Sequence, residues 1–131
     1  MSMKAVLIAE DNAINRELVA AIISVTYPDV TVLEAEDGET AVAIYCEHRP
    51  QMVLMDLHMP KMDGVTSALS IRRAETEFNI DSATQAHVPI FALTADTSQD
   101  EEVRCHNAGM DGVLIKPVTP AVLRNLLDQY L

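Results

Sequence analysis

Short apolar runs alternate with amphipathic stretches along the chain. Four runs rich in Val, Ile and Leu contain no polar residue, and they cover residues 5–9, 52–55, 90–93 and 113–115. Continuous apolar runs of this length are typical of parallel strands that are buried on both faces. A fifth run, residues 30–35, includes Thr31 and Glu34, and we predict an edge strand there.

The segments between these runs have the apolar spacing of helices. In the first segment Leu18, Ile22 and Val25 recur at intervals of four and three residues, so we expect them to form a buried helical face. Because strand and helix alternate five times, the pattern predicts an α/β fold, a doubly wound (βα)5 sheet of five parallel strands. We see no repeat and no interdomain linker, and we predict a single domain over residues 1–131. The predicted helices cover residues 13–25, 39–48, 65–77, 97–108 and 120–130, with a loop over residues 79–87.

Charge and hydropathy argue against two classes of function, nucleic-acid binding and membrane association. The 131 residues include nine Lys and Arg and twenty Asp and Glu, which gives a net charge of −11. This excess repels polyphosphate backbones and anionic lipids, so we expect neither direct nucleic-acid binding nor membrane contact by this domain. No apolar run approaches the roughly 18 residues needed to cross a bilayer, and the N-terminus lacks the order of a secretory signal. We therefore expect a cytoplasmic domain, which a longer natural chain could tether to a membrane kinase.

Cysteine and histidine spacing indicates no structural metal or disulfide. Cys46 and Cys105 form no Cys-x-x-Cys pair, and the four histidines lack the spacing of zinc ligands. Two reduced thiols are the simplest interpretation.

Polar residues follow the apolar strands at the edge where open parallel sheets form their functional crevice. Glu10 and Asp11 follow the first run, Asp56 the third, Thr94 the fourth and Lys116 the fifth. Three carboxylates at one edge would repel one another, by roughly 3 kcal/mol for each pair about 5 Å apart. A Mg²⁺ ion, which prefers oxygen ligands, would offset this cost, and raised pKa values without a metal are the alternative.

With a divalent ion bound, these residues would suit phosphoryl transfer. Asp56 is placed to act as a carboxylate nucleophile that forms an acyl phosphate. The Thr94 hydroxyl can donate to one phosphoryl oxygen, and Lys116 can pair with another.

The chain resembles, over essentially its whole length, the receiver domain of two-component response regulators. The motifs are the acidic pair, the phosphoacceptor-type Asp56, Thr94-Ala95 and Lys116-Pro117, with Met59-Pro60 and Asp63-Gly64 in the loop after the third strand. The resemblance implies a flavodoxin-like sheet with strand order 2-1-3-4-5. It implies that Asp11 and Asp56 ligate Mg²⁺ directly, that Glu10 assists through water and that the His58 carbonyl adds a ligand, with Mn²⁺ as a substitute. It further implies a module that takes phosphate from a phosphohistidine and labels itself, rather than an enzyme that turns over a substrate.

A finer resemblance concerns the subclass. Residues 9–16, 91–95 and 109–112 are similar to receivers of hybrid histidine kinases, which exchange phosphate with a histidine phosphotransfer domain. We therefore expect a histidine kinase or a histidine phosphotransfer domain as partner. A stand-alone single-domain response regulator is the alternative, because some of those share these motifs.

Two features bear on switching and docking. Val113 stands where many receivers carry a Tyr or Phe that moves with the Thr, so we expect phosphorylation to shift the Thr94 loop and the following helix without a ring rotation. Besides its predicted buried face, the first helix carries Ile14, Ala20 and Ala21 as extra apolar area beside the site, and we predict that a partner's helices dock across Ile14 and Leu18. Alternatively, the small apolar residues of this helix are merely helix formers.

Two rival functions fit less well. A haloacid dehalogenase-type phosphatase places Asp-x-Asp after its first strand, whereas Glu10-Asp11-Asn12 stands here and His58 lies two residues beyond Asp56. A flavin or dinucleotide binder uses Gly-rich or Ser/Thr-rich turns to hold phosphate, and the acidic turn here would repel it.

Overall fold

Five strands and five helices alternate in the part of the chain that the structure describes. The computed structural model describes residues 4–78 and 87–131. The strands are β1 (Ala5–Ala9), β2 (Thr31–Ala35), β3 (Met52–Asp56), β4 (Ile90–Thr94) and β5 (Gly112–Ile115). The helices are α1 (Ala13–Thr26), α2 (Gly38–His48), α3 (Gly64–Phe78), α4 (Gln99–Asn107) and α5 (Pro120–Asp128). The α/β prediction is confirmed. Of the loop predicted over residues 79–87, only His87 belongs to the described residues.

All five strands are parallel and lie in the order β2-β1-β3-β4-β5. The strand order is the one implied by the resemblance, and β2 is an edge strand as its mixed sequence predicts. In the part of the chain that the structure describes, no helix has the length and hydropathy needed to cross a membrane.

The sheet is covered on both faces, which explains the continuous apolar runs. Alternate strand residues such as Leu7 and Val53 pack with α2, α3 and α4, while Ile8 and Leu54 pack with α1 and α5. Because successive strand residues point to opposite faces, every position of β1, β3 and β4 is buried. The prediction that residues 113–115 are buried on both faces was wrong, because β5 is the other edge strand and Ile115 is 45% exposed.

The buried face of α1 differs from the predicted one. Val19 and Ile23 are its buried residues, whereas Leu18 is 56% and Val25 81% exposed, and Ile22 is half-buried. The helix carries two apolar stripes with helical spacing, one turned toward the sheet and one toward solvent. Spacing alone does not distinguish them, and the prediction for Leu18 and Val25 was wrong.

Capping residues set where the helices begin. Asn12 accepts a hydrogen bond from the Asn15 amide at 3.0 Å and starts α1 at the predicted residue. Ser98 accepts from the Glu101 amide at 3.2 Å and starts α4 two residues later than predicted. Side-chain oxygens of this kind satisfy amides that have no partner within the helix.

Candidate functional site: an acidic cluster at the carboxyl edge of the sheet

The predicted site residues all lie at one edge of the sheet. Asp56 is the last residue of β3 and is paired in register with Leu93, one residue before Thr94. The amide of Glu10 donates to the Ala35 carbonyl at 3.0 Å, and the amide of Lys116 donates to the Thr94 carbonyl at 2.8 Å. With the pairing of Ala9 and Met55 between β1 and β3, these contacts align the ends of the four strands that lead to the site.

Lys116 connects the two buried carboxylates. Glu10 is 2% and Asp56 4% exposed. The Lys116 ammonium Nζ donates to Glu10 Oε1 at 2.9 Å and lies 3.3 Å from Asp56 Oδ2. Burying a carboxylate is unfavourable unless it is paired, and one lysine here pairs with two.

Burial and neighbouring charges shift the pKa values of Glu10 and Lys116. Burial raises the pKa of Glu10 to about 7, the adjacent Asp56 carboxyl adds to the rise, and Lys116 only partly opposes it. Burial alone would lower the pKa of Lys116, but its hydrogen bond to Glu10 and the charges of Asp56 and Glu10 raise it overall. The pocket is therefore short of positive charge, even with the lysine in place.

The carboxylates form a set of oxygen donors suited to a divalent cation. Glu10, Asp11 and Asp56 each offer one carboxylate oxygen, and these oxygens lie within 4.8 Å of one another. Asp11 is exposed, and Glu10 Oε2 is buried with no hydrogen-bond partner among the described residues. A hard cation such as Mg²⁺ takes oxygen ligands of this kind and would offset the repulsion between them. The residues present fit such an ion.

Thr94 and His58 each make one hydrogen bond beside the acidic cluster. Thr94 is buried, and its hydroxyl oxygen accepts a hydrogen bond from the Asp96 amide at 3.0 Å, which leaves the hydroxyl proton to be donated elsewhere. The His58 amide donates to Asp56 Oδ1 at 3.2 Å, while the role of the His58 carbonyl stays a prediction.

The loop that follows β3 folds back onto its own strand. The Gly64 amide donates to the Leu57 carbonyl at 3.1 Å, and a Cβ at Gly64 would lie 2.2 Å from the Asp56 carbonyl oxygen. Only glycine allows this approach, and Asp63 caps the following helix by accepting from the Thr66 amide at 2.8 Å. The Asp63-Gly64 motif therefore holds the loop against the backbone of Asp56 and Leu57.

The predicted docking residues are exposed beside this site. Ile14 is 76% exposed, and Leu18 lines a cleft of about 360 Å³ between α1 and the loop after β5. The floor of the cleft includes Glu10 and Lys116. An apolar surface thus adjoins the charged pocket.

One residue at the site has a contact that the sequence analysis did not assign. Arg16 donates from Nη1 to the Glu10 carbonyl at 2.9 Å. It lies within residues 9–16, a segment identified above only as a subclass motif, and the sequence signal for it is a cation five residues after Asp11.

Comparison with known proteins agrees with the observed fold. The response regulator receiver domain model matches residues 6–128. Hybrid signal transduction histidine kinase M of Dictyostelium discoideum is 33% identical over 126 residues, which cover 95% of this chain and 5% of the kinase. The chain spans between 5 and 12% of the length of the curated relatives it matches.

Two solved structures are similar over nearly the whole chain. The receiver domain of a sensor histidine kinase from Pseudomonas aeruginosa, with a magnesium ion coordinated in its active site cleft, has a TM-score of 0.80 and 30% identity, covering 97% of this chain and 96% of that one. The Saccharomyces cerevisiae receiver domain of Ssk1, crystallised with the histidine phosphotransfer protein Ypd1, has a TM-score of 0.86 and 30% identity, covering 98% and 89%. With the family model matching almost every residue, the chain belongs to the response regulator receiver domain family.

Proposed function

We propose that this domain is a phosphoacceptor of a two-component phosphorelay, with Asp56 as the residue that receives the phosphoryl group. The observation that carries the proposal is the position of Asp56. Its carboxylate is buried at the end of a central strand, 3.3 Å from the Lys116 ammonium and within 4.8 Å of oxygens of Glu10 and Asp11. A carboxylate so placed has both a cation and a set of metal ligands beside it.

The reaction follows from these neighbours. An Asp56 oxygen attacks the phosphorus of a phosphohistidine, the new P–O bond forms, and the P–N bond breaks, with its electron pair returning to the imidazole of the donor. Lys116 pairs with one phosphoryl oxygen and the Thr94 hydroxyl donates to another, which stabilises the charge as it moves. Water later hydrolyses the acyl phosphate and regenerates the Asp56 carboxylate.

The acidic cluster would hold a divalent cation, Mg²⁺ or in its place Mn²⁺. Asp11 and Asp56 would ligate it directly, Glu10 would assist through water, and the His58 carbonyl would add a ligand. When bound, the cation neutralises charge on the transferring phosphoryl group. A receiver relative contains magnesium in the equivalent cleft, which supports this assignment.

We further propose that residues 1–131 form one receiver domain that belongs to a hybrid histidine kinase. Similarity to a hybrid kinase and to a receiver bound to a phosphotransfer protein supports a histidine kinase or histidine phosphotransfer domain as partner. The partner would dock on Ile14 and Leu18, whose exposed side chains adjoin the pocket. The domain would label only itself, on the cytoplasmic side, without direct contact to nucleic acid or membrane.

The test is intact mass spectrometry after incubation with acetyl phosphate and Mg²⁺. We expect a gain of one phosphoryl group, about 80 Da, in the wild type. The gain should be absent in Asp56→Asn and should disappear when the metal is chelated. Asp29→Asn is the matched control, because Asp29 is exposed in the turn before β2, away from the cluster, and it should be labelled like the wild type. Labelling of Asp56→Asn at the wild-type level would overturn the proposal.

A further inference from the structure

The side chain of Arg16 joins three segments at the rim of the acidic cluster. Its Nη1 donates to the Glu10 carbonyl at 2.9 Å, its Nε donates to Glu34 Oε1 at 3.2 Å, and its Nη2 lies 3.6 Å from Glu36 Oε1. The side chain is only 11% exposed. A guanidinium so nearly buried is held by several partners at once, which the fixed fork of an arginine allows.

These contacts fix the short turn that carries Asp11. On one side of it, the Glu10 carbonyl is held by Arg16 and the Glu10 amide by the Ala35 carbonyl at 3.0 Å. On the other side, the Asn12 carbonyl accepts from the Arg16 amide at 3.0 Å. Asp11 therefore lies between two residues that are both bonded to Arg16, one through its side chain and one through its backbone.

The contact acts on the backbone and not on the ligand charges. Nη1 reaches the main-chain oxygen of Glu10, and the charge of Arg16 is matched by Glu34 and Glu36 at the end of β2. Loss of the guanidinium would free the Glu10 carbonyl and loosen the spacing between the Glu10 and Asp11 carboxylates. Cation affinity depends on such spacing, and removing outer partners that orient ligands lowers it.

We propose that Arg16 is a positioning residue for the divalent-cation site, holding the turn of Glu10 and Asp11 at the spacing that the cation requires. The proposal rests on the proposed function's assignment of these carboxylates as ligands. Electrostatics makes the opposite prediction: removal of a positive charge near an acidic pocket would by itself strengthen cation binding. A positioning role predicts weaker binding, so the sign of the change separates the two.

The experiment is a Mg²⁺ titration of the whole domain, followed by calorimetry and by amide NMR shifts. We expect Arg16→Gln to raise the Mg²⁺ dissociation constant about tenfold. Arg16→Lys should also weaken binding, because a single ammonium drawn to the Glu34 carboxylate would leave the Glu10 carbonyl without its donor. The matched control is the double variant Glu34→Gln with Glu36→Gln, which removes the ion pairs and leaves the bond to Glu10. The Mg²⁺ dissociation constant of this double variant should stay within a factor of about two of the wild-type value, because substitutions that do not contact a site change its binding free energy by no more than about that factor.

Three results would overturn the inference. The first is a folded Arg16→Gln that binds Mg²⁺ as tightly as the wild type or more tightly. The second is an Arg16→Lys with wild-type affinity, which would show that charge suffices. The third is a control double variant that loses about tenfold in affinity, more than the loss of two exposed, screened charges accounts for, which would assign the effect to the ion pairs even if the arginine variants do not fold. The titration needs no phosphoryl donor, so failure of Asp56 labelling with normal Mg²⁺ binding would overturn the proposed function alone.

Discussion

Lys116 is in direct contact with both buried carboxylates of the acidic cluster. It follows β5 and contacts Glu10 after β1 and Asp56 at the end of β3. It therefore connects β5 to two strands that are not next to it in the sheet. A lysine presents one compact charge with several donors, and the same ammonium can move from a carboxylate to a phosphoryl oxygen.

Replacement of Lys116 by methionine should slow phosphorylation with little change in fold. A single donor aimed at developing charge contributes about a hundredfold or more in rate, so Lys116→Met should be labelled by acetyl phosphate about a hundred times more slowly. The measurement is the time course of the mass increase at saturating Mg²⁺. Lys61→Met is the control, because Lys61 is exposed and pairs with Asp37 outside the cluster. A rate for Lys116→Met within threefold of the control would contradict the assigned role.

Sequence reasoning at this scale found the residue types but not all of their partners. Glu10, Asp11, Asp56 and Lys116 could be predicted because each follows an apolar strand, and parallel strands end at one edge. The contact between Arg16 and the Glu10 carbonyl could not be predicted, since it depends on the angle at which α1 leaves the sheet. No spacing rule gives that angle.

At the scale of elements, β4 and α4 are linked by a series of side-chain hydrogen bonds. The Asp96 amide donates to the Thr94 hydroxyl at 3.0 Å, and the Ser98 amide donates to Asp96 Oδ1 at 2.8 Å. Ser98 in turn caps α4. A Thr94 hydroxyl drawn toward a phosphoryl group would disturb each of these bonds in order, with no aromatic ring involved.

We therefore expect a phosphoryl mimic to change the first turn of α4. Val113 is half-buried against the core beside α2, α3 and α4 and has no ring to rotate. With beryllofluoride and Mg²⁺ bound, hydrogen exchange of the amides of residues 98–104 should change, while α5 stays as it was. Ser98→Ala should weaken the response, because the cap is the last bond of the series. Exchange rates in α4 that are the same with and without the mimic would contradict this mechanism.

The opposite end of the sheet depends on Arg72 of α3. Its guanidinium donates to the Gly109 carbonyl at 2.8 Å, to the Val88 carbonyl at 2.7 Å and to Asp111 Oδ2 at 2.9 Å. This network is nearly buried, with the Arg72 side chain only 14% exposed. Removal of the guanidinium should therefore lower the free energy of unfolding by about 3 kcal/mol. Urea unfolding of Arg72→Met should show this loss, whereas Arg73→Met, an exposed neighbour on the same helix, should be close to the wild type. Equal stability of the two variants would show that the network contributes little.

Element types could be predicted more reliably than helix faces. The apolar runs of β1, β3 and β4 could be recognised because burial on both faces excludes polar residues from them, whereas the edge strands β2 and β5 are partly exposed. The face of α1 was predicted wrongly because two apolar stripes with helical spacing compete, and only packing against the sheet selects Val19 and Ile23. The exposed stripe, which includes Ile14 and Leu18, is the surface proposed for docking.

For the molecule as a whole, the charged pocket and this exposed stripe are adjacent, so docking and transfer can occur together. Ile14→Asp should reduce phosphoryl transfer from a histidine phosphotransfer domain by at least about tenfold, as expected for a buried apolar residue at the centre of an interface. Labelling by acetyl phosphate, which needs no docking, should persist.

Val25→Asp is the matched control for Ile14→Asp. Val25 is 81% exposed on the same helix, about 16 Å farther along its axis. It should change transfer from the partner much less. Equal losses in the two variants, or none in either, would contradict docking at the end of α1 nearest the site.

The central claim is that the carboxylate of Asp56 carries the phosphoryl group, and borohydride trapping tests it most directly. Borohydride reduces an acyl phosphate to the alcohol and releases phosphate, so a phosphorylated aspartate becomes homoserine. After treatment with acetyl phosphate and Mg²⁺, peptide mapping should place homoserine at position 56. Reduction at Asp11 or at another carboxylate, with position 56 unchanged, would contradict the account.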